Sequence, residues 1–231
     1  MIVGHSYQGQ DRFVIELLGG LRGGFFLDSG ASNGVNGSNS LLLEAEFGWT
    51  GICIEPNAAM FQALVHNRRC ICVHCCLYDR DGSVEFLEAA GVYGGIIAEY
   101  DPSHLEFARS VVEERWPGGD APAPIARQAR TVRSVLREAG APSVIDYWSL
   151  DTEGSELAIL HSFPFDEYRV RALTVEHNGG PARADIRRLL ESRGYVLAGE
   201  LGIDDAYVWH GDAPARAWRS GAWSRARRSA R

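Results

Sequence analysis

Lysine is absent from this 231-residue chain, whose 23 basic side chains are all arginine. That excludes any mechanism built on a lysine base or a Schiff base. Long apolar runs are missing too: none approaches the roughly 18 residues that a membrane helix needs. The opening residues lack the basic-then-apolar layout of a secretion signal, so a cytoplasmic protein with no membrane partner is expected. Positive charge is in deficit, with 23 basic against 30 acidic residues and a net charge of −7. Six of the arginines fall in residues 216–231, together with Trp218 and Trp223 and with no acid. The rest of the chain is therefore more acidic than the whole and a poor cradle for a phosphate backbone, which predicts no nucleic-acid partner. Residues 1–215 read as one domain, and 216–231 as an Arg/Trp-rich tail.

Cysteine is also scarce, an odd five, and four of them crowd into Cys70-Ile-Cys72-Val-His-Cys75-Cys76. A structural zinc site usually draws on two separated ligand pairs. These lie on one apolar run, which reads instead as a central strand holding buried, reduced thiols.

Five apolar, β-rich runs, at 24–28, 51–55, 70–77, 145–151 and 172–177, each lead into a helix-like, irregular or hairpin segment. Such alternation predicts a mainly parallel sheet covered by helices on both faces. Leu41, Leu42 and Ala45 share one helical face before Gly48. Asn57 caps a second helix with Phe61, Leu64 and Val65 inward, and Ile186, Leu189 and Leu190 mark a later one that Gly194 ends. Runs 195–201 and 206–210 predict two antiparallel strands closing one edge. Between 84–87 and Ile145 stand a Gly-rich turn (Gly91, Gly94, Gly95), a helix opened by a capping box from Ser103 to Glu106, and a helix at 131–139. Residues 91–130 are thus expected to form an insertion beside the carboxyl ends of the strands, a natural place for a substrate cover.

The stretch 25–39 carries the most chemistry. An apolar strand ends in Asp28 and enters a glycine-rich turn feeding a helix, which sets Ser29, Gly30, Ala31, Gly34, Ser38 and Asn39 beside a ligand. A dinucleotide fingerprint is G-x-G-x-x-G, whereas Gly30, Gly34 and Gly37 are spaced more widely and follow an acid that would repel a pyrophosphate. That acid suits an ammonium group. The second strand ends in Glu55, where a carboxylate can accept both hydroxyls of a ribose. Ribose plus a cationic amino acid describes S-adenosylmethionine.

At this point the sequence resembles the FkbM family of S-adenosylmethionine-dependent methyltransferases. The likeness rests on Ser6-Tyr-Gln-Gly-Gln-Asp11, Phe26-Leu-Asp-Ser-Gly-Ala-Ser-Asn-Gly34, Gly37-Ser-Asn-Ser-Leu-Leu-Leu43, Gly51-Ile-Cys-Ile-Glu-Pro-Asn57, Ser149-Leu-Asp-Thr-Glu-Gly-Ser-Glu156 and Thr174-Val-Glu-His-Asn178, in that order. It implies an α/β, Rossmann-like class I methyltransferase fold: a mainly parallel seven-stranded sheet, helices on both faces and an antiparallel edge strand. It also implies that Asp28, Gly30 and Ala31 line the methionine end, Glu55 the ribose, Pro56 and Asn57 the adenine surround, and Tyr78 or Asp79 the adenine edge. The opening segment, Gln8 to Asp11, is expected to fold over the cofactor or to be a capped surface helix.

Asp151-Thr-Glu153 ends the fourth strand and Glu176-His177-Asn178 the fifth, so these groups are expected to converge on the donor's sulfonium. Methyl transfer to an alcohol needs alignment and removal of the hydroxyl proton. Without lysine, His177 is the expected base, with Asp151 and Glu153 beside it. Alternatively Asp151, Glu176, His177 and Asn178 form a hard-cation set for an ion such as Mg²⁺. Glu176 and His177 are adjacent, however, and should point to opposite faces. Glu156 reads as an acid complementing a helix N-terminus, and His66, His104 and His161 as structural. The function expected is O-methylation of a hydroxyl on a small molecule, sugar or natural-product scaffold. An NAD-dependent oxidoreductase and a non-catalytic module of the same fold are the alternatives.

Overall fold

A computed structural model describes residues 4–212; the Arg/Trp-rich tail lies outside them. The strands are β1 (Phe25–Ser29), β2 (Thr50–Ile54), β3 (Ile71–Val73), β4 (Cys76–Leu77), β5 (Gly82–Phe86), β6 (Ile125–Arg130), β7 (Val144–Leu150), β8 (Arg169–Glu176), β9 (Tyr195–Leu201) and β10 (Asp204–Trp209). Seven form one sheet in the order β3-β2-β1-β7-β8-β10-β9. Its first five strands are parallel, and β10 runs antiparallel to both neighbours. The closing hairpin is the expected one, with the reversed strand inserted between β8 and β9. Sheet order reverses at β1, whose neighbours are β2 and β7, and a crevice opens at the carboxyl ends of such a switch point.

Helices cover both faces, as a parallel sheet requires. On one, α1 (Gln10–Leu17), α2 (Leu41–Phe47) and α3 (Ala58–Asn67) bury Phe13, Leu42, Leu43, Phe47 and Leu64 against Phe26, Cys53 and Tyr147. On the other, α5 (Val132–Glu138), α6 (Glu156–Ser162) and α7 (Ala182–Ser192) bury Val135, Ile159, Leu160, Ile186 and Leu190 against Leu27, Ile52 and Trp148. Neighbours on β7, Tyr147 and Trp148 pack on opposite faces, and each polar atom finds a partner: Thr174 Oγ1 at 2.7 Å and Ser29 Oγ at 2.9 Å. Among the described residues, no helix is long and apolar enough to cross a membrane.

Several local expectations are corrected. The run 70–77 is not one central strand: β3 lies at the sheet edge, the chain breaks at His74, whose Nε2 meets the Pro56 carbonyl at 3.1 Å, and β4 joins a second sheet, β4-β6-β5. All five cysteines are free thiols. On α3 Val65 is half exposed, and on α2 the inward residues are Leu42, Leu43 and Phe47 rather than Ala45. Asp101, not Ser103, caps α4 (Pro102–Arg115), accepting the Ser103 N–H at 3.0 Å. Proline at the first helical position excludes Ser103 from the cap. Asn57 caps α3 as expected, through Ala59 and Met60, and Gly48 and Gly194 end their helices with φ of 68° and 87°.

Candidate active site

A cavity of about 500 Å³ opens at the carboxyl ends of β1, β2, β7 and β8. Its geometry depends on one close approach. Gly30 has φ 82°, and a Cβ there would overlap the Asp151 carbonyl oxygen, so no other residue lets the tips of β1 and β7 come together. The Gly30 and Ala31 amides both donate to the Ile54 carbonyl at 3.0 Å, which ties the turn to β2. Gly37 sits under the ring of Tyr7, and Ser6 bridges to Gly37, bringing the opening segment to the cavity wall. Asp11 holds that segment by accepting the His5 amide at 2.7 Å and the Ser6 hydroxyl at 2.6 Å.

At the β1–β2 end stand Asp28, 3% exposed, and Glu55, 6% exposed, both lining the cavity. Ser40 donates to Asp28, and Arg68 donates to Ser40 at 3.0 Å from behind. Burial raises the Asp28 pKa while the Arg68 charge opposes the shift. Glu55 accepts the Ser32 amide at 2.8 Å and the Asn57 amide at 2.7 Å, but burial still pushes it up to about 7. Ser29, Gly30, Ala31, Ser38 and Asn39 line the same end, and Asn39 leaves its buried Oδ1 without a donor. Pro56, Met60, Cys75, Cys76, Leu77 and Phe86 make an apolar wall.

Four expected ligand residues do other work. Tyr78 lies outside the cavity lining and donates to Glu99, while Asp79 pairs with Arg80 at the surface. Both follow β4, where the Tyr78 amide continues the pairing with β6 by donating to the Arg130 carbonyl at 2.9 Å. Asn57 spends its carbonyl oxygen on the α3 cap and its amide on Glu88, and Gly34 is pressed against Leu64 and Arg68.

At the β7–β8 end, Asp151, Glu153 and Glu176 line the cavity, and one oxygen from each lies within 4.8 Å of the others. Glu153 has φ 60°, a strained value for a side-chain-bearing residue. Burial raises the Asp151 and Glu176 pKa well above the carboxylate range, and the neighbouring acids add to it. His104, on α4, brings Nε2 to 2.7 Å from Glu153 Oε2, and that contact raises the imidazole pKa against the effect of burial. It was expected to be structural; its partner lies 49 positions away, beyond any spacing rule. Glu156 accepts the Thr152 amide at 2.7 Å and the Gly154 amide at 3.0 Å, which fixes the loop.

His177 and Asn178 are corrected. His177 lies outside the cavity lining; its Nδ1 accepts the Gly179 amide at 2.9 Å and its Nε2 stands 3.7 Å from Asp205. Strand alternation sends Glu176 and His177 to opposite sides, so the set Asp151, Glu176, His177, Asn178 does not converge. Asn178, at φ 48°, belongs to the following turn and also lies outside the lining.

The remaining wall comes from the segment after β5: Gly91, Val92, Tyr93, Gly94, Gly95 and Ile96. Gly95 packs on the Glu153 carbonyl and Tyr100, and Gly154 on the Glu99 carbonyl. Tyr7, Val92, Tyr93 and Ile203 are exposed apolar side chains that also line the cavity. Sequence reasoning missed Tyr7, Arg68 and Ile203, although Tyr7 lies inside a quoted motif.

The family profile described as Methyltransferase FkbM domain matches residues 28–197. No curated protein matches the chain. Similar solved structures include a METTL16 methyltransferase domain (12% identity, TM-score 0.44, 86% of this chain and 64% of that one). Others are a putative RNA methyltransferase from Pyrococcus horikoshii (13%, 0.43, 87% and 81%) and precorrin-6y C5,15-methyltransferase from Geobacter metallireducens (11%, 0.44, 86% and 87%). The chain thus spans somewhat under two thirds of that METTL16 domain. The expected exclusion of nucleic acid is corrected: among the similar structures, a human METTL16 catalytic domain (17%, 0.40, 86% and 68%) is solved in complex with the MAT2A 3'UTR hairpin 6. An acidic net charge does not settle that class of partner, because local surface rather than total charge meets the ligand.

Proposed function

The chain belongs to the FkbM methyltransferase family, and from that premise we propose that it methylates a hydroxyl oxygen of a small molecule, a natural-product scaffold or sugar derivative with an apolar body. The observation that carries the reading is the charge of the cavity. Asp28, Glu55, Asp151, Glu153 and Glu176 line it, and no Arg or His does so among the described residues. Such a wall repels a phosphorylated dinucleotide and favours a cationic nucleoside, which sets the NAD alternative aside.

The residues present fit S-adenosylmethionine. Asp28 and the donor-less Oδ1 of Asn39 offer acceptors for an ammonium group. Glu55 offers a carboxylate for ribose hydroxyls, and the apolar wall from Pro56 to Phe86 takes a flat base. When bound, S-adenosylmethionine supplies the methyl group, which passes in line from sulfonium sulfur to acceptor oxygen and leaves a neutral thioether. A carboxylate of the Asp151, Glu153 and Glu176 group takes the proton of the attacking hydroxyl, in the place expected for His177. The exposed Tyr7, Val92, Tyr93 and Ile203 support an acceptor with an apolar body, with residues 91–96 as its cover.

The test is incubation with methyl-labelled S-adenosylmethionine and a panel of aliphatic alcohols, phenols, glycosides and an RNA hairpin. Label in an ether linkage on an apolar hydroxyl acceptor, lost in Glu55→Ala, is expected. Label confined to RNA or to nitrogen would replace this reading, and none on any acceptor would favour a non-catalytic module.

A further inference from the structure

Buried acids in this protein generally have a counterpart. Asp28 has Ser40 and Arg68, Glu55 and Glu156 have backbone amides, and Asp205 has both ends of the Arg183 guanidinium. The tips of β7 and β8 break that pattern. Asp151, Glu153 and Glu176 bring three oxygens within 4.8 Å of one another. The basic side chain that meets them among the described residues is His104, which approaches Glu153. Glu176 is 5% exposed, and its buried Oε2 has no hydrogen-bond partner. A buried carboxyl oxygen with no partner, beside two further carboxyl oxygens, leaves acceptors that the described residues do not fill, so this arrangement offers oxygen ligands to a positive charge from outside the chain.

We propose that Asp151, Glu153 and Glu176 bind a hard divalent cation, of the Mg²⁺, Mn²⁺ or Ca²⁺ class. The donor set is all carboxylate oxygen, which such ions prefer and softer ions do not. Ligands on opposite sides of Ca²⁺ lie about 4.6–5.2 Å apart and neighbouring ligands closer, so three oxygens within 4.8 Å of one another are within reach of one such ion. Because the three side chains line the cavity, the open coordination positions face the space where an acceptor would sit. The inference rests on the methyl-transfer reading and deepens it, since a cation there would hold an acceptor hydroxyl and lower its pKa, the proton then passing to solvent in place of a carboxylate base. Its binding is nevertheless readable with neither cofactor nor acceptor.

The experiment is thermal unfolding of the full chain, first in EDTA and then titrated with MgCl₂, MnCl₂ or CaCl₂, with Mn²⁺ occupancy followed by electron paramagnetic resonance. At least one cation is expected to raise the melting temperature by about 5 °C at saturation. Asp151→Asn and Glu176→Gln should melt in EDTA no lower than the wild type, which shows that they fold, and should lose the cation response. No shift with any of the three ions, or an equal shift in the Asp151→Asn/Glu176→Gln double variant, overturns the proposal. Calorimetry with S-adenosylhomocysteine in EDTA separates the two readings: cofactor heat without a cation response sinks the cation site alone, and a cation response without cofactor heat sinks the methyl-transfer reading alone.

Discussion

Asp28, at the β1 end of the cavity, is buried with a hydroxyl donor in front and Arg68 behind. At the β7–β8 end, half-buried Asp151 and buried Glu153 and Glu176 stand together with one imidazole for three carboxyl groups. Both ends line the same space, and both raise carboxyl pKa values by burial. The first end carries its own countercharge and is organised before any ligand arrives. The second lacks one, so its arrangement depends on what binds. Pre-organisation at a cofactor end keeps the ordering cost of binding small, whereas an unbalanced acceptor end is a place where added positive charge gains most.

The comparison can be broken most severely at the joint between the two ends. Gly30→Ala puts a Cβ on the Asp151 carbonyl at a left-handed backbone position, and a loss of about 3 kcal/mol or more is expected in urea unfolding. Next, Arg68→Met leaves Asp28 buried without its cation, at a cost of about 3 kcal/mol; Arg68→Met with Asp28→Asn should recover part of it. The opposite sign is expected at the other end, where Glu176→Gln in EDTA should stabilise by about 1 kcal/mol at alkaline pH, because once the cluster is ionised it removes a like charge. If both ends respond with the same sign, they do not differ as described.

Glu55 adds a pH dependence. Its folded pKa of about 7 lies above the ordinary 4.5, so the folded state holds the proton more tightly than the unfolded one. The associated stability is fully present below pH 4.5 and lost as pH rises through about 7, amounting to about 3 kcal/mol across that window. Denaturant midpoints of wild type minus Glu55→Gln, at several pH values, read it directly. Cofactor affinity should run the other way, falling about tenfold from pH 8 to pH 6 as the carboxylate is protonated. The smallest effects are expected at the residues the structure moves out of the cavity: His177→Ala and Tyr78→Phe should change methyl transfer less than twofold. A large loss in His177→Ala would return the base to that imidazole.

The parts legible in sequence were those decided locally. Strand tips ending in Asp28, Glu55 and Asp151, the cap at Asn57 and the stop at Gly48 follow from patterns a few residues long. Alternation alone already warned that Glu176 and His177 would part. What escaped was decided by distant partners. β6 reads as polar because one side of it is exposed, and its pairing with β4 and β5 defines it. Tyr78 and Asp79, which follow β4, lie outside the cavity lining. Arg68 carries no local signal, and only the fold places it behind Asp28. His104 reaches Glu153 from an insertion whose position no spacing rule fixes.

Calorimetric titration of the purified chain with S-adenosylmethionine, run in parallel with NADH, tests the central claim that the acidic crevice receives a cationic nucleoside. One saturable site for S-adenosylmethionine, weakened at least tenfold by Glu55→Ala, with no heat from NADH, is the predicted result. Saturable NADH binding, or no heat from S-adenosylmethionine, would contradict it.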